Sequence, residues 1–360
     1  MLLALCAVGP GRIKLPADNA AAERNRREHS MDYFASLISC FFQEARRCKA
    51  RFNLELTGDR APDRLGAPRP QIDFAELVEP EMMQLEQLET DSFAPANGAL
   101  EALSSVRIVS WNVNRGLQLD GVLDFLTDAS ADLILLQEVD VNARRTHHRN
   151  VAREIARTLR MNYVFGCEFE ELTQGNHNSP AYHGQATLSR LPIAESRILR
   201  FGRQSGFWRP RWYVPTIPKF QRRLGARMAL VSHIACFGNR LVVYNVHLES
   251  RGNDNLRCSQ LAEIFDDVQQ YGSDVRVVVA GDFNFDLTQE PAAAVIASAT
   301  FKNTVHNGNV RPTTTDSGLS RARAVDWVLT RGPLDHAEVE LHRSVRASDH
   351  YPLSFVLQSK

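Results

Sequence analysis

Neither charge is in excess in this chain of 360 residues, because 42 Lys and Arg residues balance 42 Asp and Glu residues. Net charge therefore gives no argument for a polyanionic partner, and any such argument must rest on a local cluster of basic residues. Hydrophobic residues make up 44% of the chain and charged residues 23%, as is usual for a soluble globular protein.

Closely spaced cysteines are also missing. The six cysteines include no CxxC pair, and the His233-x-x-Cys236 spacing is not accompanied by a second such pair. This argues against a zinc site and against a dense disulfide framework. We therefore expect reduced thiols and a cytoplasmic location.

Long apolar runs are scarce. The apolar segment from Met1 to Val8 has no basic residues before it and is too short for a complete secretory signal, although it leaves export open. No later segment has the length of a transmembrane helix. We expect a soluble protein and a monomer.

The first 104 residues differ from the rest in composition and in the pattern of their apolar residues. Apolar residues recur at helical spacing between Phe34 and Ala45, which predicts an amphipathic helix over about 32–51. This helix could pack on its own protein, on a partner or on a membrane surface. Residues 73–95 are acidic and predict a solvated helix or tail, and the remainder reads as linker or disordered chain. We assign 1–104 to an N-terminal extension and 105–360 to a catalytic domain.

From Val106 onwards, short apolar runs of strand length alternate with segments of helical periodicity, which predict helices from Leu119 to Thr127, from His147 to Arg160 and from Leu256 to Tyr271. Many apolar strands with a few interspersed helices favour a layered α/β architecture around stacked sheets. Several of the strands carry polar residues inside, at or directly beside their ends, where loops carried by a rigid scaffold commonly place catalytic groups. These residues are Asn112, Gln137, Glu138, Asn245, His247, Asp282, Asn284, Asp326, Ser348, Asp349 and His350.

The segment Gly281-Asp282-Phe283-Asn284 carries the clearest chemistry. It follows the apolar run 275–280, and its carboxylate and carboxamide lie two residues apart, so that they point the same way. That pairing suits phosphoryl transfer, in which the protein positions a nucleophile and neutralises charge. Taken alone, the tetrapeptide is better explained as an ordinary turn, because Gly, Asp and Asn are common turn residues.

Read together, these segments resemble the endonuclease/exonuclease/phosphatase superfamily with the deoxyribonuclease-I-like fold. The matching motifs occur in family order between Val106 and Leu357. They are Ser110-Trp111-Asn112, Leu136-Gln137-Glu138, Leu188-Ser189-Arg190-Leu191-Pro192-Ile193, Asn245-Val246-His247-Leu248, Gly281-Asp282-Phe283-Asn284, Asp326-Trp327-Val328 and Ser348-Asp349-His350. The resemblance implies a four-layer α/β sandwich, with two packed mixed β-sheets flanked by helices. It also implies metal-dependent hydrolysis of a phosphoester.

The cofactor expected on this basis is Mg²⁺, with Mn²⁺ as a possible substitute. Glu138 is the candidate principal ligand, because hard cations prefer carboxylate oxygens. Asn112 would support the metal or a phosphate oxygen, and Asp349 would complete the metal shell.

The catalytic roles expected from the chemistry agree with the resemblance. Asp282 would orient or deprotonate the attacking water, and Asn284 would hold a phosphate oxygen. His350 is the candidate acid/base group, since imidazole titrates near neutrality. Asp326, flanked by apolar residues, needs a partner if it is buried, and it would fix the tautomer of His350.

His247 helps to choose a branch of the superfamily. The deoxyribonuclease, sphingomyelinase and inositol-phosphatase branches place a histidine in this motif, whereas abasic-site nucleases have a tyrosine-containing motif. Deoxyribonuclease I pairs this histidine with an acidic residue next to Ser-Arg, and Leu191 stands at that place here. The group that controls the protonation of His247 is therefore not identified by the motif.

The segment 201–227 mixes arginines with aromatic residues. Such a mixture suits a polyanion with stackable bases, a phospholipid surface, or a loop whose aromatics pack on the domain. We take Arg190, Trp208, Arg209 and Arg211 as candidate substrate contacts. A further segment, Arg311-Pro312-Thr313-Thr314, resembles a Pro-Thr element that lies near the active site in several family members.

The leading hypothesis is a metal-dependent phosphoesterase that hydrolyses a phosphodiester, in nucleic acid or in another phosphoester, by in-line attack of water. The pair His247 and His350, which could protonate an alkoxide leaving group, favours diesters over monoesters. The alternatives are a phospholipid or sphingomyelin phosphodiesterase or an inositol-phosphate phosphatase at a membrane, and a non-catalytic binding module on the same fold. Peripheral membrane contact stays open.

Overall fold

Two mixed β-sheets form the centre of the structure, a computed structural model that describes residues 86–95, 103–176, 178–205, 222–303, 311–316 and 321–360. The first sheet has the order β1-β4-β5-β3-β2-β14-β13, with β7 beside β4. Its strands are β1 (Leu88–Ser92), β2 (Ser105–Arg115), β3 (Leu133–Val141), β4 (Asn162–Glu170), β5 (Tyr182–Ser189), β7 (Leu224–Gly225), β13 (Leu334–Leu341) and β14 (Leu353–Ser359).

The second sheet has the order β11-β12-β10-β9-β8-β6. Its strands are β6 (Ile193–Arg200), β8 (Met228–Cys236), β9 (Asn239–His247), β10 (Arg276–Asp282), β11 (Lys302–Asn303) and β12 (Asp326–Arg331). The pairs β2–β3 and β9–β10 are parallel, and the other pairs are antiparallel.

Helices cover the outer faces of both sheets. Helices α1 (Leu119–Ala129) and α2 (Val151–Leu159) pack on the first sheet, and α3 (Asp254–Val268) and α4 (Ala292–Ser298) pack on the second. Between the sheets lies an apolar layer formed by residues such as Ile108, Leu133, Val243, Val278 and Val328, all without exposed surface. The central strands are near-continuous apolar runs because both of their faces are covered. The expected four-layer α/β sandwich is confirmed.

The predicted helices α2 and α3 are present with shifted ends. The periodicity predicted a helix from His147 to Arg160, but α2 begins at Val151, where the Asn150 side chain accepts a hydrogen bond from the Arg153 amide at 3.0 Å. Residues Arg144–Thr146 form a separate 3₁₀ turn. None of the helices in the described part of the chain is long and apolar enough to cross a bilayer.

One element was missed, since β1 lies inside the acidic segment that was expected to be a solvated helix or tail. It pairs antiparallel with β4 from Leu88 to Ser92. Glu89 accepts hydrogen bonds from Tyr163 Oη at 2.5 Å and Asn150 Nδ2 at 2.6 Å, and Asp91 lies 2.9 Å from Arg153. These partners on β4 and near α2 satisfy the acids, so the expectation is wrong for these five residues. The helix predicted at about 32–51 lies outside the described residues.

Gly281 allows the close approach of β10 to β9. Its φ is +145°, and a Cβ built on it would lie 2.0 Å from the carbonyl oxygen of Val246. Only glycine fits this position without a backbone shift. The resulting register places Asp282 opposite His247 on one side and opposite Asp326 on the other.

We therefore predict that Gly281→Ala lowers the free energy of unfolding by about 2–4 kcal/mol, because it adds both backbone strain and overlap with β9. The matched control is Gly238→Ala in the β8–β9 turn, where φ is +65° and no atom lies within 4 Å of an added Cβ. The control should lose only about 1–2 kcal/mol, the strain of a left-handed non-glycine residue. Urea titration measures both values, and equal losses would contradict the proposed overlap.

Candidate active site

The polar residues that follow the strands converge at one edge of the sandwich. Asn112 and Glu138 belong to neighbouring strands of the first sheet, and His247 and Asp282 end neighbouring strands of the second. Asp326 opens β12, and His350 precedes β14. Since β12 and β14 run antiparallel to their neighbours, their beginnings lie beside the ends of the other strands.

The Asp282 carboxylate lies at the centre of this edge. Its Oδ1 accepts a hydrogen bond from the Asn284 amide at 2.8 Å, and its Oδ2 accepts one from Asn112 Nδ2 at 3.1 Å. Nε2 of His247 and Nε2 of His350 each lie 3.6 Å from the same Oδ2. Burial raises the pKa of Asp282 to about 6; the Asp326 carboxylate adds to the rise and His350 opposes it.

His350 and Asp326 form a buried pair. Nδ1 of His350 lies 2.9 Å and 3.2 Å from the two carboxylate oxygens of Asp326, as the sequence led us to expect. Burial alone would lower the pKa of His350, but the Asp326 and Asp282 carboxylates outweigh it and raise this pKa to about 10. The pair holds His350 in the cationic form.

Thr313, from the Pro-Thr element, fixes this pair from behind. Its Oγ1 accepts hydrogen bonds from the amides of Val325 and Asp326, each at 3.1 Å, and its carbonyl oxygen accepts one from the Tyr351 amide at 2.8 Å. The element therefore lies at the active-site edge, as the resemblance implied, and it acts on the backbone that carries Asp326 and His350.

Glu138 lies in an irregular part of β3. Its φ is +51°, and the pairing of β3 with β5 shifts register between Leu136 and Val139. The side chain is 19% exposed and lies 3.3 Å from Arg115 Nη2 and 4.0 Å from His247 Nε2. Burial would raise the pKa of Glu138, but the charges of Arg115 and of neighbouring cations outweigh it and hold this pKa well below its usual range. Glu138 is thus an anionic carboxylate at the cleft.

His247 has an arginine for a partner. Nη1 of Arg227 donates to His247 Nδ1 at 2.9 Å and to Glu168 Oε2 at 2.9 Å. Burial and the Arg227 charge lower the pKa of His247 well below its usual range. Leu191, the residue that stands where deoxyribonuclease I has an acid, is buried in the layer between the sheets. The group beside His247 that the motif did not identify is therefore Arg227, directly before β8.

Two polar residues of the strand ends join the sheets instead of facing the cleft. Gln137 Nε2 donates to Asn245 Oδ1 at 2.7 Å, and Asn245 Nδ2 donates to the carbonyl oxygens of Leu136 and Ala186 at 3.1 and 2.9 Å. Both side chains are fully buried. This bridge between β3 and β9 holds Glu138 and His247 at a fixed separation.

Of the remaining candidates, Asn284 and Asp349 lie at this edge. Asn284 Nδ2 donates to the carbonyl oxygen of Leu248 at 3.1 Å, which fixes the orientation of its carboxamide. Asp349 is exposed, and its Oδ1 accepts a hydrogen bond from Ser348 Oγ at 3.3 Å.

Arg190 is not brought to the site. Its Nε donates to the Ala131 carbonyl oxygen at 3.0 Å, just before β3 begins, whereas Glu138 lies near the end of that strand. The separation from Leu133 to Glu138 is five residues, or roughly 16 Å along a strand. The other three candidate substrate contacts, Trp208, Arg209 and Arg211, lie outside the described residues.

The sequence did not single out a second histidine–carboxylate pair. His183 Nδ1 lies 2.9 Å from Asp140 Oδ1, and Arg145 donates to both Asp140 oxygens at 2.6 and 2.7 Å. The available signal was a further acid, Asp140, between the apolar residues Val139 and Val141 and two residues after Glu138. Arg227 was noted only as part of the basic segment, although it directly precedes the apolar run of β8.

The donors at this edge fit a divalent cation. Ligand atoms of Asp282, Asp326 and His350 all lie within 4.8 Å of one another, and Glu138 adds an anionic carboxylate across the cleft. Because the cationic form of His350 has no lone pair to offer, the groups available to a metal are the carboxylate oxygens. Oxygen-rich sets of this kind suit Mg²⁺ or Mn²⁺.

Comparison with solved structures identifies proteins of the same fold. The catalytic domain of human Nocturnin with bound sulfate is 15% identical, with 76% of this chain and 98% of that chain covered and a TM-score of 0.51. An endonuclease/exonuclease/phosphatase from Beutenbergia cavernae DSM 12333 is 17% identical, with coverage of 71% and 72% and a TM-score of 0.53. One from Bacteroides vulgatus is 15% identical, with coverage of 72% and 100% and a TM-score of 0.51. At these identities the likeness shows the fold.

Sequence comparison is more specific. No curated protein sequence matches the chain. Residues 109–350 match the sequence model of the Endonuclease/Exonuclease/phosphatase family. This match spans well over half of the chain and includes Asn112, Glu138, His247, Asp282 and His350, so the protein belongs to the endonuclease/exonuclease/phosphatase family.

Proposed function

We propose that the protein is a Mg²⁺-dependent phosphodiesterase, and that Mn²⁺ can substitute for Mg²⁺. Its substrate would be nucleic acid or another phosphoester, and the bond would be hydrolysed by in-line attack of water. The family consists of hydrolases that act on phosphoester bonds. The observation that carries the proposal is the convergence of Asn112, His247 and His350 on one oxygen of Asp282, at 3.1, 3.6 and 3.6 Å. An acceptor surrounded by donors at a cleft can position a water beside a phosphate.

The metal would be held by Glu138 and Asn112, with Asp349 as a further candidate ligand. The anionic state of Glu138 and the carboxamide of Asn112 supply the oxygen donors that such a cation prefers. When bound, the cation would supply Lewis-acid stabilisation of the charge on the phosphate oxygens.

Asp282 would hold the attacking water and take its proton. The Asn284 amide fixes Oδ1 at 2.8 Å and leaves Oδ2 to face the convergent donors. The carboxamide of Asn284, held by the carbonyl oxygen of Leu248, would donate its second N–H to a phosphate oxygen.

His350 would donate from Nε2 to the phosphate or to the leaving oxygen, because Asp326 holds its Nδ1. A fixed tautomer and a fixed ring orientation reduce the reorganisation that the reaction requires. His247 would supply a second donor from the other side of Asp282.

Fewer observations support the alternative functions, a lipid or inositol-phosphate hydrolase and a non-catalytic binding module. A lipid substrate is favoured by the helix predicted at about 32–51 and by the aromatic residues near 208, all outside the described residues. The presence of Glu138, Asp282, Asp326, His247 and His350 opposes a non-catalytic module. A monomer in the cytoplasm remains our proposal, and the buried, unpaired Cys167, Cys236 and Cys258 support a reducing compartment.

The substrate class is tested with purified protein and Mg²⁺ or Mn²⁺, with EDTA as the control. The panel contains single- and double-stranded DNA, RNA, sphingomyelin in liposomes and inositol phosphates. We expect EDTA-sensitive cleavage of a phosphodiester. Turnover of inositol phosphates alone would replace the diester with a monoester substrate, and turnover of sphingomyelin alone would favour the lipid phosphodiesterase over a nuclease. A folded protein with no turnover at all would favour the binding module.

We predict that Glu138→Gln reduces Mg²⁺-stimulated hydrolysis of bis-p-nitrophenyl phosphate by about 10³-fold, since a bound metal contributes several kcal/mol of stabilisation. Isothermal titration with Mg²⁺ should show weakened binding in the same variant. The control is Glu338→Gln, an exposed glutamate of β13 paired with Arg107. Equal activity of the two variants would remove Glu138 from the site.

Asp326→Asn tests the role of the carboxylate behind His350. Because the amide neither stabilises the imidazolium nor demands the same tautomer, we expect kcat to fall by roughly 10²–10⁴-fold. Asp335→Asn, at an exposed carboxylate of β13 that pairs with Lys360, should keep wild-type kcat. Steady-state kinetics on the same diester decides, and a kcat of Asp326→Asn within threefold of the control would exclude the proposed dyad.

A further inference from the structure

Arg227 is a buried cation at the centre of a polar chain that leads into the cleft. It is 2% exposed and lies directly before β8. Gln185 Nε2 donates to Glu168 Oε1 at 3.0 Å, Glu168 Oε2 accepts from Arg227 Nη1 at 2.9 Å, and the same nitrogen donates to His247 Nδ1 at 2.9 Å. The chain thus links β4 and β5 of the first sheet to β9 of the second.

The guanidinium is held in one orientation. Its Nη2 donates to Ser250 Oγ at 3.1 Å, and its Cζ lies 5.3 Å from the centre of the Phe169 ring. The backbone of Arg227 is fixed as well, because its amide donates to Gln204 Oε1 at 3.0 Å and its carbonyl oxygen accepts from Gln204 Nε2 at 2.9 Å. These contacts fix the N–H group of Arg227 that faces His247.

The hydrogen-bonding chemistry of arginine settles which nitrogen of His247 carries the proton. A guanidinium has only donors, so Nδ1 of His247 must accept and the proton must reside on Nε2. Nε2 is the nitrogen that lies 3.6 Å from Asp282 Oδ2 and 4.0 Å from Glu138 Oε1. His350 has the opposite arrangement, since its Nδ1 faces the acceptors of Asp326.

Without Arg227, the Glu168 carboxylate could pair directly with the His247 imidazole. Its Oε2 lies 3.8 Å from His247 Nδ1, and the guanidinium contacts both groups. A direct carboxylate–imidazole pair would draw a proton onto Nδ1 and favour the imidazolium. Arg227 therefore separates two groups that would otherwise form a second histidine–carboxylate pair in the site.

We propose that Arg227 is a positioning residue that holds His247 in the Nε2–H tautomer, so that His247 acts as a neutral hydrogen-bond donor to a phosphate oxygen. The role at the phosphate rests on the proposed function, whereas the tautomer does not. The two histidines of the site then differ in task. His350, paired with Asp326, is the group that can deliver a proton, and His247 stabilises negative charge through a fixed dipole.

The tautomer is measured without any substrate. Protein with ¹⁵N-labelled histidine, free of metal and at neutral pH, gives a long-range ¹H–¹⁵N correlation spectrum in which the His247 signals are assigned by their loss in His247→Gln. We expect the Nε2–H pattern. A pattern with the proton on Nδ1, or on both nitrogens, overturns the inference.

Two substitutions test whether Arg227 sets this state. In Arg227→Met, Glu168 should take over Nδ1, and the His247 spectrum should gain a proton there. In Arg227→Lys, whose ammonium also has only donors, the Nε2–H pattern should be kept. A His247 spectrum that is the same in Arg227→Met as in the wild type overturns the role of Arg227.

Kinetics on bis-p-nitrophenyl phosphate gives an independent readout. We expect Arg227→Met to lower kcat by roughly 10²-fold with KM changed less than about threefold, and Arg227→Lys to recover at least a tenth of wild-type kcat. The matched control for loss of a large arginine is Arg331→Met, at the opposite end of β12 from Asp326, with wild-type kcat expected. A kcat of Arg227→Met equal to that of the control contradicts the proposal.

The two proposals fail in different ways. If the wild-type protein hydrolyses none of the diesters but shows the Nε2–H pattern, the proposed function fails and the assignment of the tautomer stands. If the protein is an active phosphodiesterase whose His247 carries its proton on Nδ1, the function stands and the role of Arg227 fails. If Arg227→Met does not fold, the wild-type and Arg227→Lys spectra still decide the question.

Discussion

The hydrogen bonds of the Asp282 carboxylate join the two sheets at the functional edge of the sandwich. A buried carboxylate is costly unless donors surround it, and here Asn112 from the first sheet and the Asn284 amide from the second supply them. Asp282 directly follows Gly281, where β10 approaches β9 too closely for any side chain, and this approach sets the register of Asp282 beside His247. The geometry of the site therefore depends on a backbone contact that a single methyl group would disturb.

Two histidines on either side of this carboxylate are controlled by partners of opposite charge. The Asp326 carboxylate raises the pKa of His350, and burial together with the Arg227 guanidinium lowers the pKa of His247. The same side chain thus supplies a cationic and a neutral group within one cleft, both at 3.6 Å from Asp282. Because their surroundings differ, two histidines can perform two tasks at one pH.

Much of the fold and part of the site could be predicted from local sequence. The strands β2, β3, β9, β10 and β14 are apolar because both of their faces are buried, and the polar residues at their ends are conspicuous for that reason. Strand β1 was missed because its acids look solvated until Tyr163, Asn150 and Arg153 are seen beside them. Arg190 was assigned to the substrate by its motif, but the antiparallel direction of β5 carries it to the other end of the sheet.

Strand periodicity and polar residues at strand ends are local properties, so the amino-acid sequence was enough to predict the family and the layered α/β class. It was also enough to name the candidate site residues Asn112, Glu138, His247, Asp282, Asp326 and His350. Folding was needed to reveal that Arg227 and Glu168 lie behind His247, that Asp140 pairs with His183, and that Asn245 joins the sheets. These partners lie on different strands, 20 to 108 residues apart in the chain. Register and sheet packing set which of them meet, and the pattern of any single strand does not contain that information.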